Sequence, residues 1–342
     1  FFAEDILVLL YKTSGELLEV GTTYLRIVIW GVPFMAVMQI TGAIMRGAGN
    51  TKVPMQIATV INLVNVALSY VLIFGHLGFP PLGVVGAAWA SNIAQAVGAI
   101  LALYIMLRRQ EDLVFRLRGF RFATKEVRAV LGIGLPTAAE NILMQLGQIM
   151  LTSLVVSFGT IPLAAHQQGI TAESLSYMPA VGFGIAATAF VGQSMGAGST
   201  KLAERYVREL AKWSMALTAV TASFLIFTPR LVFSLLTDVQ EVIDLGAYYL
   251  IMMGIAQIPQ QLTSIFNGAL RGAGDTKAPM VIGAIGLWGV RLPFSYYLSL
   301  NLGWGILGVW AAMTLDLFVR FTLSATRFLR GRWKQQLTRM TA

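Results

Sequence analysis

The chain has 342 residues, of which 56% are hydrophobic and only 12% are charged. Soluble domains carry about 25% charged residues, so a water-soluble fold of this length could not bury so much apolar surface. Cysteine is absent, which excludes disulfides and thiolate metal sites. The formal net charge is +9, but the basic residues lie between apolar runs and form no recognisable nucleic-acid motif. We therefore expect the lipid bilayer as the surrounding medium and no nucleic-acid partner.

Apolar runs along the chain are long enough to cross a bilayer, whose hydrocarbon core requires about 20 residues per helix. They predict nine transmembrane helices, at residues 19–45, 53–75, 83–107, 129–158, 164–195, 208–229, 242–270, 278–300 and 305–329. Residues 1–11 are interpreted as the end of a tenth helix. They include neither an initiator methionine nor a signal-peptide pattern, so we expect an N-terminally truncated chain.

Lysine and arginine concentrate in every second connection between the predicted spans. The basic connections are 46–52, 108–128, 201–212, 271–277 and the tail 327–339. Basic connections face the cytoplasm in multi-pass proteins, which predicts a cytoplasmic C-terminus. The segment 110–128 alternates basic and apolar residues and is interpreted as an amphipathic linker on the inner leaflet.

An internal repeat relates the two halves of the chain. Residues 46–55 (RGAGNTKVPM) and 271–280 (RGAGDTKAPM) are identical at eight of ten positions, at an offset of 225. The residues that define the two turns are Arg46, Gly47, Lys52 and Pro54 in the first copy and Arg271, Gly272, Lys277 and Pro279 in the second. Glycine permits a left-handed backbone, Asn50 or Asp275 can cap the next helix, and proline suits its first turn. The GxxxxGK[ST] spacing of a phosphate-binding loop is absent.

The repeat also predicts the domain organisation of an all-α integral membrane protein. Both copies place their turn on the basic side, so the repeats are parallel. Three spans of the second half have no partner in the first, which implies about twelve helices in two lobes, nine of them present. The predicted segments are a partial N-lobe at 1–109, the amphipathic cytoplasmic linker at 110–128, a C-lobe at 129–332 and a basic cytoplasmic tail at 333–342.

Several motifs resemble those of the multidrug and toxin extrusion (MATE) transporters, most closely the prokaryotic branch. They are the two RGAG turns, GLP at 134–136, AAHQ at 164–167, VGQ to GAG at 191–198 and WGVRLP at 288–293. The resemblance covers essentially the whole chain. It implies two six-helix bundles around a central cleft, and antiport of organic, often cationic, small molecules against Na⁺ or H⁺. It implies no cofactor besides the coupling ion, and we expect a monomer in the cell membrane.

Other functions fit the sequence less well. A lipid-linked oligosaccharide flippase of the same superfamily needs a strongly cationic cavity, but only Arg26, Arg291 and Arg320 lie within the predicted spans and outside the basic connections. A membrane enzyme is not expected, because the spans contain no carboxylate dyad, serine–lysine pair or metal cluster. A channel is disfavoured because no filter-like motif occurs.

Candidate coupling and substrate residues of the C-lobe are polar groups at membrane depth, where each needs a structural or functional reason. Glu140 lies near the middle of the span 129–158, in the region where the resemblance implies an acidic residue. Its alternative role is an interhelical hydrogen bond. Where family members can have an aspartate, this chain has Gln260, beside Gln257. A neutral amide cannot titrate, so these glutamines are expected to contact substrate or to form packing hydrogen bonds.

In the N-lobe, Asn65, Ser69 and Ser91 match positions of the family's cation site, although Ser69 replaces a residue that is often aspartate. Oxygen ligands can hold Na⁺, and the alternative is polar packing between helices; no metal site is certain. The repeat offset aligns Ser91 with Asp316 and Val66 with Arg291. Asp316 and Arg291 are therefore predicted to form a structural ion pair, which Arg320, one turn beyond Asp316, can join.

The predicted topology can be tested by thiol labelling, because the chain has no cysteine of its own. Residues 76–82 and 301–304 should lie outside and the C-terminus inside. A membrane-impermeant reagent applied to intact cells should label Phe79→Cys and should label Gln336→Cys only after the membrane is opened. The reverse labelling pattern would contradict the orientation.

Overall fold

The structure is a computed structural model that describes residue 4 and the segments 15–108 and 124–335. The chain divides into two compact units, residues 1–121 and 122–342. Within the described segments, nine helical spans are long and apolar enough to cross a membrane, which confirms the nine predicted spans. The predicted tenth span lies outside the described residues except for Glu4, and so does the linker from 110 to 123.

The first unit is built around one helix that contacts all the others. Its elements are α1 (Glu16–Val28), which passes through a 3₁₀ turn (Ile29–Gly31) into α2 (Val32–Gly47), then α3 (Lys52–Phe74) and α4 (Gly83–Arg108). Helix α4 packs against α1, α2 and α3 through a face rich in alanine and glycine. At Gly86 the helix comes close to the backbone of α3, since a Cβ there would lie 2.6 Å from the carbonyl oxygen of Leu72. Small residues of this kind allow helices to pack closely in lipid.

The second unit has α9 at its centre. Its helices are α5 (Thr124–Val156), α6 (Thr160–Gly196), α7 (Thr200–Phe227), α8 (Pro229–Ser234), α9 (Gln240–Gly272), α10 (Lys277–Ala284), α11 (Leu292–Tyr296) and α12 (Ile306–Leu329). Two π-helical segments, Ile285–Arg291 and Tyr297–Asn301, flank α11, so that Lys277–Asn301 forms one span. Helix α9 packs against α6, α7, α8 and α12.

Helices α6 and α9 approach each other through small residues at every fourth position. A Cβ on Gly268 would lie 2.2 Å from the carbonyl oxygen of Gly184, and one on Gly272 would lie 2.4 Å from that of Thr188. A Cβ on Gly184 would in turn meet Ser264 Oγ at 2.4 Å. The Thr188 hydroxyl donates a hydrogen bond across the interface to the Gly268 carbonyl, at 3.0 Å. No side chain larger than a hydrogen atom fits at these glycines without separating the backbones.

The two repeat turns have the same backbone geometry. In the first, Gly49 (φ 86°) donates to the Arg46 carbonyl and Asn50 donates to that of Met45. In the second, Gly274 (φ 84°) and Asp275 make the equivalent bonds. This is the Schellman motif, in which a left-handed residue closes the end of a helix.

The residue after the left-handed glycine also begins the next helix. Asn50 Oδ1 accepts a hydrogen bond from the Val53 amide at 3.2 Å, and Asp275 Oδ1 accepts one from the Ala278 amide at 3.3 Å. The same geometry recurs at 196–201 (GAGSTK), where Gly198 has φ 73° and Ser199 caps α7. Within the described segments, the same compact turn therefore ends one helix and starts the next at three places.

Three predicted boundaries differ from the structure. Helix α7 begins at Thr200, so the whole basic stretch 201–212 belongs to the helix and not to a connection. Residues 124–128, predicted as linker, are the first turn of α5. In the predicted tail, Trp333 is buried and stacks on Phe328 at 5.2 Å. Hydropathy underestimates such ends, because charged or aromatic first and last turns lie beyond the apolar run.

The α6–α9 contact can be tested with a matched pair of glycine substitutions. Gly268→Ala should lower the free energy of unfolding by about 1–3 kcal/mol, because the added methyl group would separate the two backbones. The control is Gly182→Ala on α6, where nothing lies within 4 Å of the new Cβ. This variant should unfold at or above the wild-type temperature, because alanine favours a helix more than glycine does. Thermal unfolding in detergent measures both. Equal midpoints for the two variants would contradict the close packing.

Candidate functional site

A buried ion cluster lies between α12 and the π-helical segment before α11. Asp316 is fully buried; its Oδ2 accepts a hydrogen bond from Arg291 Nε at 2.7 Å and its Oδ1 accepts one from Arg320 Nε at 2.6 Å. The two residues expected to pair are thus in contact, with Arg320 as a second partner. The absence of a side chain at Gly286 leaves room for the Asp316 carboxylate, since a Cβ there would lie 2.2 Å from Asp316 Oδ1.

The wide turn at Ile285–Arg291 has a local cause. Pro293 lies two residues beyond its last residue, and in an ordinary α-helix the proline ring would clash with the carbonyl four residues before it. A π-turn inserts an extra residue and relieves such a conflict, and π-turns occur often at functional sites. The turn carries Arg291 at its last position, which positions the guanidinium over Asp316.

Glu140 forms a two-fold contact with an arginine of the repeat motif. Arg271 Nη2, at the end of α9, lies 2.7 Å from Oε1 and 2.8 Å from Oε2 of Glu140, which is on α5. The Glu140 side chain is 14% exposed and that of Arg271 is 36% exposed. Arg271 was predicted only as a turn residue, so its pairing with Glu140 is a contact that the sequence did not indicate. The Glu140 carboxylate is therefore bonded to an arginine whose side chain is partly exposed.

Met144 connects this ion pair to the Asp316 cluster. It lies one turn beyond Glu140 on α5, and its sulfur is 3.7 Å from Arg320 Nη1. A Cβ added at Gly283 of α10 would lie within 4 Å of both Glu140 and Met144. Helices α5, α10 and α12 therefore enclose two neighbouring ion pairs on the interior of the second unit.

Sequence reasoning passed over a second carboxylate in this unit. Glu173 is buried in the middle of α6, and its Oε2 accepts a hydrogen bond from the Tyr249 hydroxyl at 2.6 Å. Gly169 makes room for the tyrosine, because a Cβ there would lie 2.5 Å from the ring. The signal was present in the sequence: an acidic residue in the interior of the predicted span 164–195 is costly unless it is bonded or functional.

Aromatic rings enclose the Tyr249 end of this contact. The Tyr249 ring meets His166 edge-on at 5.8 Å and Trp310 edge-on at 5.3 Å. Trp310 Nε1 donates to His166 Nδ1 at 3.1 Å. Because Nδ1 accepts this bond, the neutral imidazole carries its proton on Nε2. That atom is buried and has no hydrogen-bond partner in the described part of the chain.

The glutamines of α9 lie beside Pro259, in the interior of the helix. Gln257 is buried, and its Oε1 accepts a hydrogen bond from the Ser176 hydroxyl at 3.4 Å. Gln257 Nε2, Gln260 Oε1 and Gln261 Nε2 are buried without a hydrogen-bond partner among the described residues. The Gln260 side chain also hydrogen-bonds Glu173. Buried polar atoms are costly unless they are bonded, so the three unpartnered atoms are available to a polar ligand.

The first unit contains the predicted N-lobe residues. Asn65 Nδ2 on α3 donates to Ser91 Oγ on α4 at 3.2 Å, while Ser69 is half-buried one turn beyond Asn65. The structure thus brings Asn65 and Ser91 together. No group of three or more histidine, cysteine or acidic residues that could hold a metal occurs within the described segments. A Na⁺ site at these neutral oxygens stays a prediction.

Comparison with known proteins gives consistent matches. The MatE family model matches residues 1–71 and 136–297. The chain is 34% identical over 337 residues to a probable multidrug resistance protein NorM of Thermotoga maritima, covering 97% of this chain and 72% of that protein. It is 28% identical over 339 residues to the uncharacterized transporter YisQ of Bacillus subtilis, covering 98% and 74%. A crystal structure of MATE in the bent conformation has a TM-score of 0.86 at 19% identity, covering 99% of this chain and 74% of that one.

The Asp316 cluster predicts a graded response to mutation. Asp316→Asn should lower the free energy of unfolding by about 3–5 kcal/mol, because two buried guanidinium groups lose their counter-ion. Replacing only Arg291 and Asp316 by Met and Leu would leave Arg320 unpaired, so recovery should require the third change Arg320→Met. Thermal unfolding in detergent measures each variant, with the exposed Asp238→Asn as the control. A double variant as stable as wild type would contradict the role of Arg320.

Proposed function

Because the chain belongs to the MatE family of membrane transporters, we propose that it is a secondary antiporter that exports organic cations in exchange for Na⁺ or H⁺. Its relatives carry the names of transporters and of multidrug resistance proteins, which supports a transport role without a chemical reaction. In this proposal the protein works in the cell membrane as a monomer, with its C-terminus in the cytoplasm. The basic connections of the sequence support that orientation.

The observation that carries the proposal is the presence of two carboxylates with little exposure on the consecutive helices α5 and α6 of the second unit. Glu140 is bonded to Arg271, and Glu173 is bonded to Tyr249. An antiporter requires that its two ligands compete or favour opposite states. A carboxylate does this when it pairs with an organic cation in its charged form and releases it on binding H⁺ or Na⁺.

In this mechanism Arg271 competes with the coupling ion and the substrate for the Glu140 carboxylate. Its guanidinium is 36% exposed and sits on the last turn of α9, so it can leave the carboxylate without entering apolar surroundings. Protonation of Glu140 would weaken this charge-assisted bond and loosen the connection between α5 and α9. Coupling then follows from one carboxylate that is shared in turn by Arg271, the ion and the substrate.

The surroundings of Glu173 suit an organic cation. The carboxylate supplies negative charge, while Tyr249 and Trp310 supply aromatic surface and the α9 glutamines supply amide groups. Aromatic faces and carboxylates together favour cations that carry apolar groups. A pyrophosphate-linked substrate fits less well, because Arg271, Arg291 and Arg320 are each bonded to a carboxylate.

The coupling proposal can be tested with isosteric amides in the protein reconstituted into lipid vesicles. Glu140→Gln should reduce dye export driven by an imposed pH or Na⁺ gradient to background, because the amide cannot titrate. Glu173→Gln should weaken binding of the cationic dye, measured at equilibrium without a gradient. Glu209→Gln, an exposed residue on α7, is the control.

Two results would count against these roles. Wild-type export by Glu140→Gln would exclude that residue and move the coupling site to the first unit around Asn65. Unchanged dye affinity in Glu173→Gln would leave Glu173 as a structural partner of Tyr249.

A further inference from the structure

A basic cavity opens at one end of the second unit, between the start of α10 and the end of α12. Its volume is about 550 Å³. Four cationic side chains line it, namely Lys277, Arg327, Arg330 and Arg332, with Asp275 as the one acidic group in its lining. This cavity lies away from Glu140, Glu173 and Asp316, none of which lines it.

Most of this positive charge has no counter-ion. Asp275 is buried and binds Arg327, with Oδ2 at 2.6 Å from Nη2. Lys277, Arg330 and Arg332 form no ion pair with any residue that the structure describes. All three are exposed, so the cavity presents a net positive surface to an incoming anion.

The fold holds these groups in place. Gly331 adopts a left-handed conformation (φ 68°) and turns the chain back after α12. Trp333 then buries its ring against Phe328 and donates from Nε1 to the Phe328 carbonyl at 3.0 Å. Arg330 and Arg332, on either side of this turn, therefore lie at the cavity that Lys277 lines from α10.

Below the charged rim the cavity wall is apolar. Val281 on α10 and Ile285 at the start of the π-helical segment line it and are 47% and 45% exposed, and Leu323 lines it from α12. The cavity thus has a cationic end at the helix termini and an aliphatic surface along the span. This order matches a phospholipid, whose anionic headgroup lies at the membrane surface and whose acyl chain lies beneath it.

We propose that this cavity binds the headgroup of an anionic phospholipid, with the acyl chain along Val281 and Ile285. A free phosphate would use the cationic rim but gain nothing from the aliphatic wall. The equivalent positions of the first repeat, Ala102, Ile105 and Leu107, replace the three arginines by apolar residues. The site therefore belongs to the second unit alone and is not a general feature of the repeated turn.

The test compares lipid retention by purified protein, measured by native mass spectrometry, with phosphatidylglycerol and phosphatidylcholine as probes. Arg330→Gln combined with Arg332→Gln should weaken phosphatidylglycerol binding by about 30-fold, given the usual contribution of a basic residue at an anionic surface. Arg205→Gln combined with Arg208→Gln removes the same charge from exposed positions of α7 and should bind as wild type. The charge-retaining pair Arg330→Lys and Arg332→Lys should restore most of the binding.

Two results would overturn the proposal. Equal loss of binding in the α7 control would mean that net charge, and not this cavity, attracts the lipid. Displacement of phosphatidylglycerol by millimolar inorganic phosphate, with no preference for the lipid, would identify a free-anion site.

Discussion

The close approach of α6 and α9 is the contact on which the second unit depends. In lipid, helices gain little from burying apolar surface, so their association relies on close packing and on interhelical hydrogen bonds. Gly184 and Thr188 meet Gly268 and Gly272 with a constant sequence difference of 84, which means that the two helices run in the same direction. The same interface includes polar contacts of the unit. It brings Glu173 to Tyr249 and Ser176 to Gln257.

Much of the fold follows from the sequence by simple physical rules. Apolar runs interrupted by glycine, proline and basic residues gave the nine spans, because a helix that crosses lipid must be long and uncharged. The 225-residue offset located two turns whose hydrogen bonds are the same in the structure. It also juxtaposed Arg291 and Asp316, which are 2.7 Å apart. Each of these inferences uses local pattern or internal symmetry, which a single sequence contains.

The remaining features depend on tertiary packing. Nothing near Arg271 in the sequence indicates that its side chain reaches Glu140, 131 positions earlier, because that contact depends on how α5 lies against α9. The same is true of Tyr249 and Glu173. The start of α7 was misplaced because its first turns are basic and resemble a connection in hydropathy. The role of Gly286 becomes visible only when Asp316 and Arg320 occupy the space that its side chain would fill.

The π-helical turn before Pro293 has a mechanical consequence. It contains more residues per turn than an α-helix, and each residue of an α-helix accounts for about 100° of rotation. If the wide turn were to tighten by one residue, the remainder of its span would rotate by about that angle relative to α10. Arg291 would then leave Asp316, so the ion cluster and the wide turn stabilise each other. The Pro293 ring and the Asp316 carboxylate thus both favour the wide turn, and its tightening would rotate one half of the span Lys277–Asn301 against the other.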